Sequence, residues 1–397
     1  MRIEARRWMS GDGWTSRPGE LRDAQLVFAF GSRHVFEDAS LFADLASAYP
    51  DAEIIGCSTA GEIFGTQVTD ESLVSTAISF DGTTVRCARV AIDDPAQSFD
   101  AGCRLAAALP HENLVHVVVF SEGIHVNGTN LVRGLASALP PSVTVTGGLS
   151  GDGHRFARTY VVWKGKPEQG SIVAAGFYGS ALRVGYASLG GWDPFGPERL
   201  ITKSRDNVLY ELDGQSALEL YKQYLGEHAA DLPASGLLFP LSLRTSSDAT
   251  PVVRTILAVD EKEQSMTFAG DMPAGAYARL MKANFDRLID GAAGAAKVSY
   301  AAVGGSSPEL ALLISCVGRK MVLQQRIEEE VEGVRDVMGE RTVLTGFYSY
   351  GEISPFTPDA RCELHNQTMT ITTFSEMKEG GRLVRPTVAD ETSALQR

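Results

Sequence analysis

Seven histidines and five cysteines carry most of the chemistry open to this 397-residue chain. None falls in a paired ligand spacing: there is no HExxH and no CxxC, which argues against a zinc site. A single axial imidazole facing an apolar cavity is enough to hold haem. His365, in the polar run Glu363-Leu364-His365-Asn366-Gln367-Thr368, is the first candidate for that iron-ligating role, followed by His125 and His34 in loops after predicted strands. Cys316 and Cys362 are the thiolate alternatives. A second kind of chemistry is recognition of a small zwitterion. Arg319 would fix a carboxylate in bidentate fashion and Glu352 would take an ammonium, with Tyr348 and Tyr350 beside them. A thiolate nucleophile is conceivable at Cys57, but Gly56-Cys57-Ser58-Thr59-Ala60 lacks the second glycine of a nucleophile elbow. No GxxxxGK[ST] cradles phosphate and no GxGxxG opens a helix. Binding rather than catalysis is expected, and the chain reads as a non-enzyme.

The elements that must position these residues repeat along the chain. Ile54-Ile55-Gly56-Cys57-Ser58-Thr59-Ala60-Gly61-Glu62-Ile63 and Leu344-Thr345-Gly346-Phe347-Tyr348-Ser349-Tyr350-Gly351-Glu352-Ile353 share one pattern: an apolar run, Gly, four residues, then Gly-Glu-Ile. Val145-Thr146-Gly147-Gly148-Leu149-Ser150-Gly151-Asp152 is a shorter third copy ending in Asp. Each copy follows an apolar strand (26–32, 115–122, 310–317) and a helical stretch, so each reads as a βαβ unit with a glycine loop. Ligands of open α/β sheets sit beyond the carboxyl ends of parallel strands. Cys57, Ser58, Gly147, Gly148, Asp152, Arg319, Tyr348, Tyr350, Glu352 and Asn366 are therefore the expected ligand-binding set, with Glu62, Asp152 and Glu352 at equivalent places.

The rest of the chain reads as follows. Residues 1–24 are a loose lead-in with Trp8 and Trp14 tucked against the first domain. Residues 73–80 and 84–92 should form a hairpin across Asp81-Gly82. Residues 159–163, 171–178 and 182–189 should form an antiparallel meander, and 190–197 a rigid connection, either a domain-linking corner, the favoured reading, or a lid. Long helices are expected at 275–296 and 319–338, and a final strand at 363–374. The expected fold class is α/β: two related domains with mixed parallel and antiparallel sheets built around the three βαβ-glycine-loop units. Domain spans are 25–215 and 216–376, with 377–397 a disordered tail.

Composition narrows the partners. A formal net charge of −13, with no basic run, disfavours nucleic acid and anionic membrane surfaces. No window of about 18 apolar residues suggests membrane insertion. The start of the chain lacks the apolar core of a secretory signal, and an odd number of scattered cysteines suits a reducing compartment, so a cytoplasmic location is expected.

At these loops the chain resembles the FIST family of bacterial sensory modules, built from an N-terminal and a C-terminal FIST domain. The resemblance rests on 56–63, on Asn127-Gly128 before Leu131-Val132-Arg133-Gly134-Leu135, on 147–153, on Ser315-Cys316-Val317-Gly318-Arg319, on 346–355 and on Leu364-His365-Asn366-Gln367-Thr368. It implies signal input through a small ligand, with amino acids proposed for the family at large. No kinase, cyclase or methyl-accepting segment is recognisable in the chain. Stand-alone two-domain members look like the haem-binding branch that senses nitric oxide and acts through a partner histidine kinase. The resemblance thus implies a sensor of nitric oxide through haem, or of an amino acid or similar metabolite without it, signalling to a histidine kinase or another protein.

Overall fold

The structure, a computed structural model, describes residues 1–246, 251–304, 307–356 and 360–377. The three units predicted from sequence are present. The first runs through strand Leu26–Gly31, helix Ala39–Ala48, strand Glu53–Ser58, the strand pair Glu62–Phe64 and Gln67–Thr69, and strand Ser72–Ser79. The second runs through Leu114–Ser121, helix Gly128–Ala138, Thr144–Leu149, Val161–Trp163, Lys166–Glu168 and Ser171–Tyr178. The third runs through Leu310–Cys316, helices Val317–Leu323 and Ile327–Met338, then Val343–Ser349, Gly351–Pro355, Cys362–His365 and Met369–Glu376.

Within each unit the first two strands are parallel, and the motif glycine faces the fourth residue of the first strand or, in the second unit, the sixth: Ala29 opposite Gly56, Val119 opposite Gly147, Leu313 opposite Gly346. A Cβ at Gly56, Gly147 or Gly346 would lie 1.9, 1.9 or 1.8 Å from the carbonyl oxygen of that partner. These glycines therefore serve strand-to-strand approach. Gly147 and Gly148 are corrected from ligand-binding to packing positions, since a Cβ on Gly148 would also meet Ile314 at 2.8 Å.

The units are interlocked. The strand pair that follows each glycine loop leaves its own unit and extends another unit's sheet. Glu62–Phe64 pairs with Val343–Ser349, Gly351–Pro355 with Thr144–Leu149, and Val161–Trp163 with Glu53–Ser58. The opposite edges are closed by strands from earlier in the chain: Arg2–Met9 on Ser72–Ser79, Thr84–Ala91 on Ser171–Tyr178, and Leu182–Leu189 on Met369–Glu376. The exchange overturns two local expectations. Residues 73–80 and 84–92 belong to different sheets and form no hairpin, and 159–163, 171–178 and 182–189 lie in three sheets instead of one meander. The lead-in is likewise partly strand, at Arg2–Met9 and Gly13–Trp14, and Trp8 and Trp14 do pack against the first unit's core.

Phe30, Phe120 and Phe347, one from each unit, meet where the sheets converge, with ring centroids 5.3, 4.8 and 5.9 Å apart. Between the second and third units the chain makes a further sheet, from Asp193–Arg205 to Tyr277–Lys282, with its own core around Leu209, Tyr221, Met266 and Phe268. Of the connection expected at 190–197, residues from Asp193 onward are already strand; before it Trp192 is buried and its indole N–H donates to Gln367 O at 2.9 Å. The helix expected at 275–296 begins instead at Phe285, where the Asn284 side chain caps it. That expected at 319–338 is broken at Gln324–Arg326, and the last predicted strand turns at 366–368. The expected tail, apart from Met377, lies outside the described residues.

Candidate functional site

The loop after the first unit's second strand is held by its own polar residues. Ser58 Oγ donates to Gly151 O at 2.8 Å and accepts from Tyr160 N at 2.9 Å, tying the first unit to the second. Glu62 is fully buried and accepts from the Thr59 hydroxyl, from Ser72 N at 3.1 Å and from Ser72 Oγ at 2.7 Å. Loss of hydration pushes its carboxyl up to about 7, against the pull of these bonds. The third unit repeats the device: Glu352 accepts from Ser349 Oγ at 2.7 Å, Thr368 N at 3.2 Å and Thr368 Oγ1 at 3.0 Å, and burial pushes it up to about 8.

The second unit departs from this. Val161 stands opposite Cys57 as Glu62 stands opposite Phe347, so Asp152 is not the equivalent of the two glutamates. Asp152 instead organises the longer loop behind it. It accepts from Ala157 N at 3.1 Å, Arg158 N at 2.9 Å and the Tyr350 hydroxyl, while the Tyr350 ring stacks on Phe156 at 4.2 Å.

These loops line a cavity of about 400 Å³, open to solvent, beyond the carboxyl ends of the first unit's parallel strands. All three units wall it. The first supplies Ser32, Arg33 and His34, the loop 59–62 and the turn at Asp70-Glu71; the second supplies 152–155; the third supplies Val317, Lys320 and Met321. Lys320 Nζ donates to Ala60 O at 2.9 Å and pairs with Asp70. Arg33 lies 3.3 Å from Glu37 and 3.6 Å from Asp152.

Of the histidines proposed from sequence, His34 lines this cavity. His365 does not: it is buried, its Nε2–H donates to Ser354 O at 2.7 Å, and its ring meets Phe356 edge-on at 4.1 Å. Desolvation lowers it to about 4, so it stays neutral. His125 is 63% exposed and sits 3.4 Å from Glu122. The three are not brought together, and the residues present do not fit a haem. In the cavity wall charged side chains outnumber the apolar Ala60, Val317 and Met321, and the leading iron ligand already has a partner. Among the described residues no group of three or more His, Cys, Asp or Glu could hold a metal ion.

The other expected site residues are mostly structural. Cys57 lies in the apolar core and burial raises its thiol well above the ordinary range, the reverse of an activated nucleophile. Cys316 and Cys362 are pushed up in the same way. Arg319 is fully buried and spoken for: Nη2 donates to Glu330 Oε2 and to Leu288 O, each at 2.7 Å, and Nη1 to Gly190 O at 2.8 Å. The expected Arg319–Glu352 trap for a zwitterion is therefore corrected, because each group is consumed inside the protein. Tyr348 is buried too and donates to Glu330 at 2.6 Å. Asn366 is fully buried with both amide atoms unpartnered among the described residues. It precedes Gln367, whose φ of 64° matches 60° at Glu71 and 59° at Gly170 in the corresponding turns.

Arg33, His154, Arg155, Lys320, Asp70 and Glu71 were not expected at the site. Lys320 next to Arg319 was the nearest signal. The rest come from loops whose convergence depends on the strand exchange.

The family model described as the FIST N domain matches residues 25–215, and that described as the FIST C domain matches 217–355. No curated protein matches. Among solved structures the chain is similar to a cyanuric acid hydrolase from A. caulinodans at 8% identity and a TM-score of 0.37, covering 95% of this chain and 99% of that one. A second structure described as cyanuric acid hydrolase has the same identity and coverage with a TM-score of 0.35. Likeness at that level carries no argument about activity.

Proposed function

The chain belongs to the FIST family, and from that premise we propose that it is a sensor whose input site is the cavity shared by its three units. FIST domains are signal-transduction sensor domains, and this chain carries both the N and C types. The observation that supports the cavity is its construction: segments from all three interlocked units meet there, at the edge where α/β sheets bind ligands. A ligand touching all three biases their mutual packing, which is what a sensor needs.

The ligand we propose is a small polar metabolite such as an amino acid, held without haem. The alternative, a haem-based nitric oxide sensor, rests on the family resemblance, and neither the charged lining nor the occupied His365 supports it. We read the protein as a binder and not an enzyme. We place it in the cytoplasm, with a histidine kinase or another signalling protein as its output partner, as the resemblance implies. Among the described residues no helix is long and apolar enough to cross a membrane.

Output has a physical route. Lys320 reaches into the cavity, while its neighbour Arg319 clasps Gly190 O and Leu288 O at the root of the additional sheet. Movement of helix Val317–Leu323 on ligand binding would be felt there. The test is a thermal-shift screen with an amino-acid panel on the wild type and on Met321→Trp, which fills the cavity, alongside an absorbance titration with haem. Stabilisation by a metabolite that is lost in Met321→Trp is expected. A Soret band that responds to nitric oxide, with no metabolite binding, would overturn the reading.

A further inference from the structure

We infer that the cavity selects a small organic anion, a molecule bearing carboxylate or phosphate oxygens, gripped by Arg155 and Arg33; this rests on the proposed ligand site. The argument is an inventory of which charges in the lining are already spent. Lys320 is committed to Asp70 and to Ala60 O at 2.9 Å. Asp152 is committed to Tyr350 and to two backbone N–H groups. Glu62 is committed to Thr59 and Ser72, and its burial makes it a poor anion for facing a ligand.

What is left over is mainly basic. Arg155 makes one hydrogen bond among the described residues, to the backbone carbonyl of Asp152 at 3.3 Å, so most of its donor fork is open. Among the described residues the His34 ring has only a 3.4 Å contact, with the Ser32 hydroxyl. His154 lines the cavity with no side-chain partner among the described residues. Arg33 is shared between Glu37 at 3.3 Å and Asp152 at 3.6 Å, distances an incoming oxyanion can improve upon. Against these stands Glu71 at the rim.

The placement of the basic groups adds a second observation. A smaller recess of about 220 Å³ is lined by Arg33, His34, Glu37 and Arg155, so three basic residues form the wall common to both spaces. A planar guanidinium there matches the two oxygens of a carboxylate or the face of a phosphate. The chain as a whole has 49 acidic against 36 basic residues, so two arginines and a histidine on one wall, with Arg155 in no ion pair among the described residues, are a local exception.

The test is calorimetric titration of the full chain with succinate, L-glutamate, inorganic phosphate and L-lysine, on the wild type, Arg155→Gln, Arg33→Gln and the cavity-filling Met321→Trp, each checked for folding by circular dichroism. Succinate, glutamate or phosphate should bind the wild type, more weakly as salt is raised, and either arginine variant should lose about tenfold in affinity or more. Which of these anions binds tells carboxylate from phosphate. Preferential binding of L-lysine, blocked in Met321→Trp, would overturn the anion assignment and leave the cavity as the ligand site. Anion binding unchanged in both arginine variants would overturn the assignment to these residues. Failure of every probe to bind would count against the cavity reading as well.

Discussion

Glu62 and Glu352 are the same residue twice over: each lies three positions after a hydroxyl that donates to it, and each accepts the backbone N–H and the hydroxyl of one residue where its unit's last strand begins, Ser72 at the first position of that strand and Thr368 just before Met369. Each glutamate thereby fastens a glycine loop to the turn preceding that strand. Since the strands carrying them, Glu62–Phe64 and Gly351–Pro355, are the ones exchanged between units, the two carboxyls also help hold the interlock closed.

That arrangement makes stability depend on pH. Both groups have folded values raised from 4.5, to about 7 and about 8, so the folded state favours their protonated forms. Their contribution is fully present below the unfolded value and is lost as pH rises through the folded values. The melting temperature should therefore fall across that window, and Glu62→Gln with Glu352→Gln should flatten the fall. A wild-type profile that rises from weakly acidic to weakly alkaline pH, with no change in the variants, would contradict this.

Arg319→Met should destabilise the protein by about 3–5 kcal/mol, because it leaves Glu330 buried without its cation. Urea unfolding followed by circular dichroism measures this. Adding Glu330→Gln should recover part of the loss. If Arg319 were instead a ligand-binding group, the single substitution would abolish binding at little cost in stability.

Asn366→Leu, close to the same shape, should raise stability by about 1–3 kcal/mol, since neither atom of the buried amide has a partner among the described residues. A lower melting temperature would mean that the amide is satisfied by a group outside those residues or by a bound molecule.

Cys57 in the folded protein should resist a thiol reagent at neutral pH that modifies the half-buried Cys103. Peptide mapping by mass spectrometry distinguishes them. Rapid labelling of Cys57 under native conditions would revive a nucleophilic role.

The sequence by itself determined the three βαβ units, their parallel strand pairs and the motif glycines. These depend on local apolar runs and on a spacing that repeats, and the backbone fit at Gly56, Gly147 and Gly346 leaves room for no side chain. It also carried the family resemblance, through residues such as Glu62, Ser58 and Arg319 whose partners are all internal. Only the tertiary structure decided which strands pair across units, because a strand's apolar pattern states that it is buried and not against what. The meander at 159–189 and the hairpin at Asp81-Gly82 were misread for that reason: neighbours in sequence pair by default, and here each edge is better satisfied by another unit. The exchange in turn decided the site. It carried Asp70 and Glu71 to Lys320, brought His154 and Arg155 beside Arg33, and left His365 and Glu352 closed within the protein, since a charged group ends in a cavity or in a core according to which surfaces meet around it.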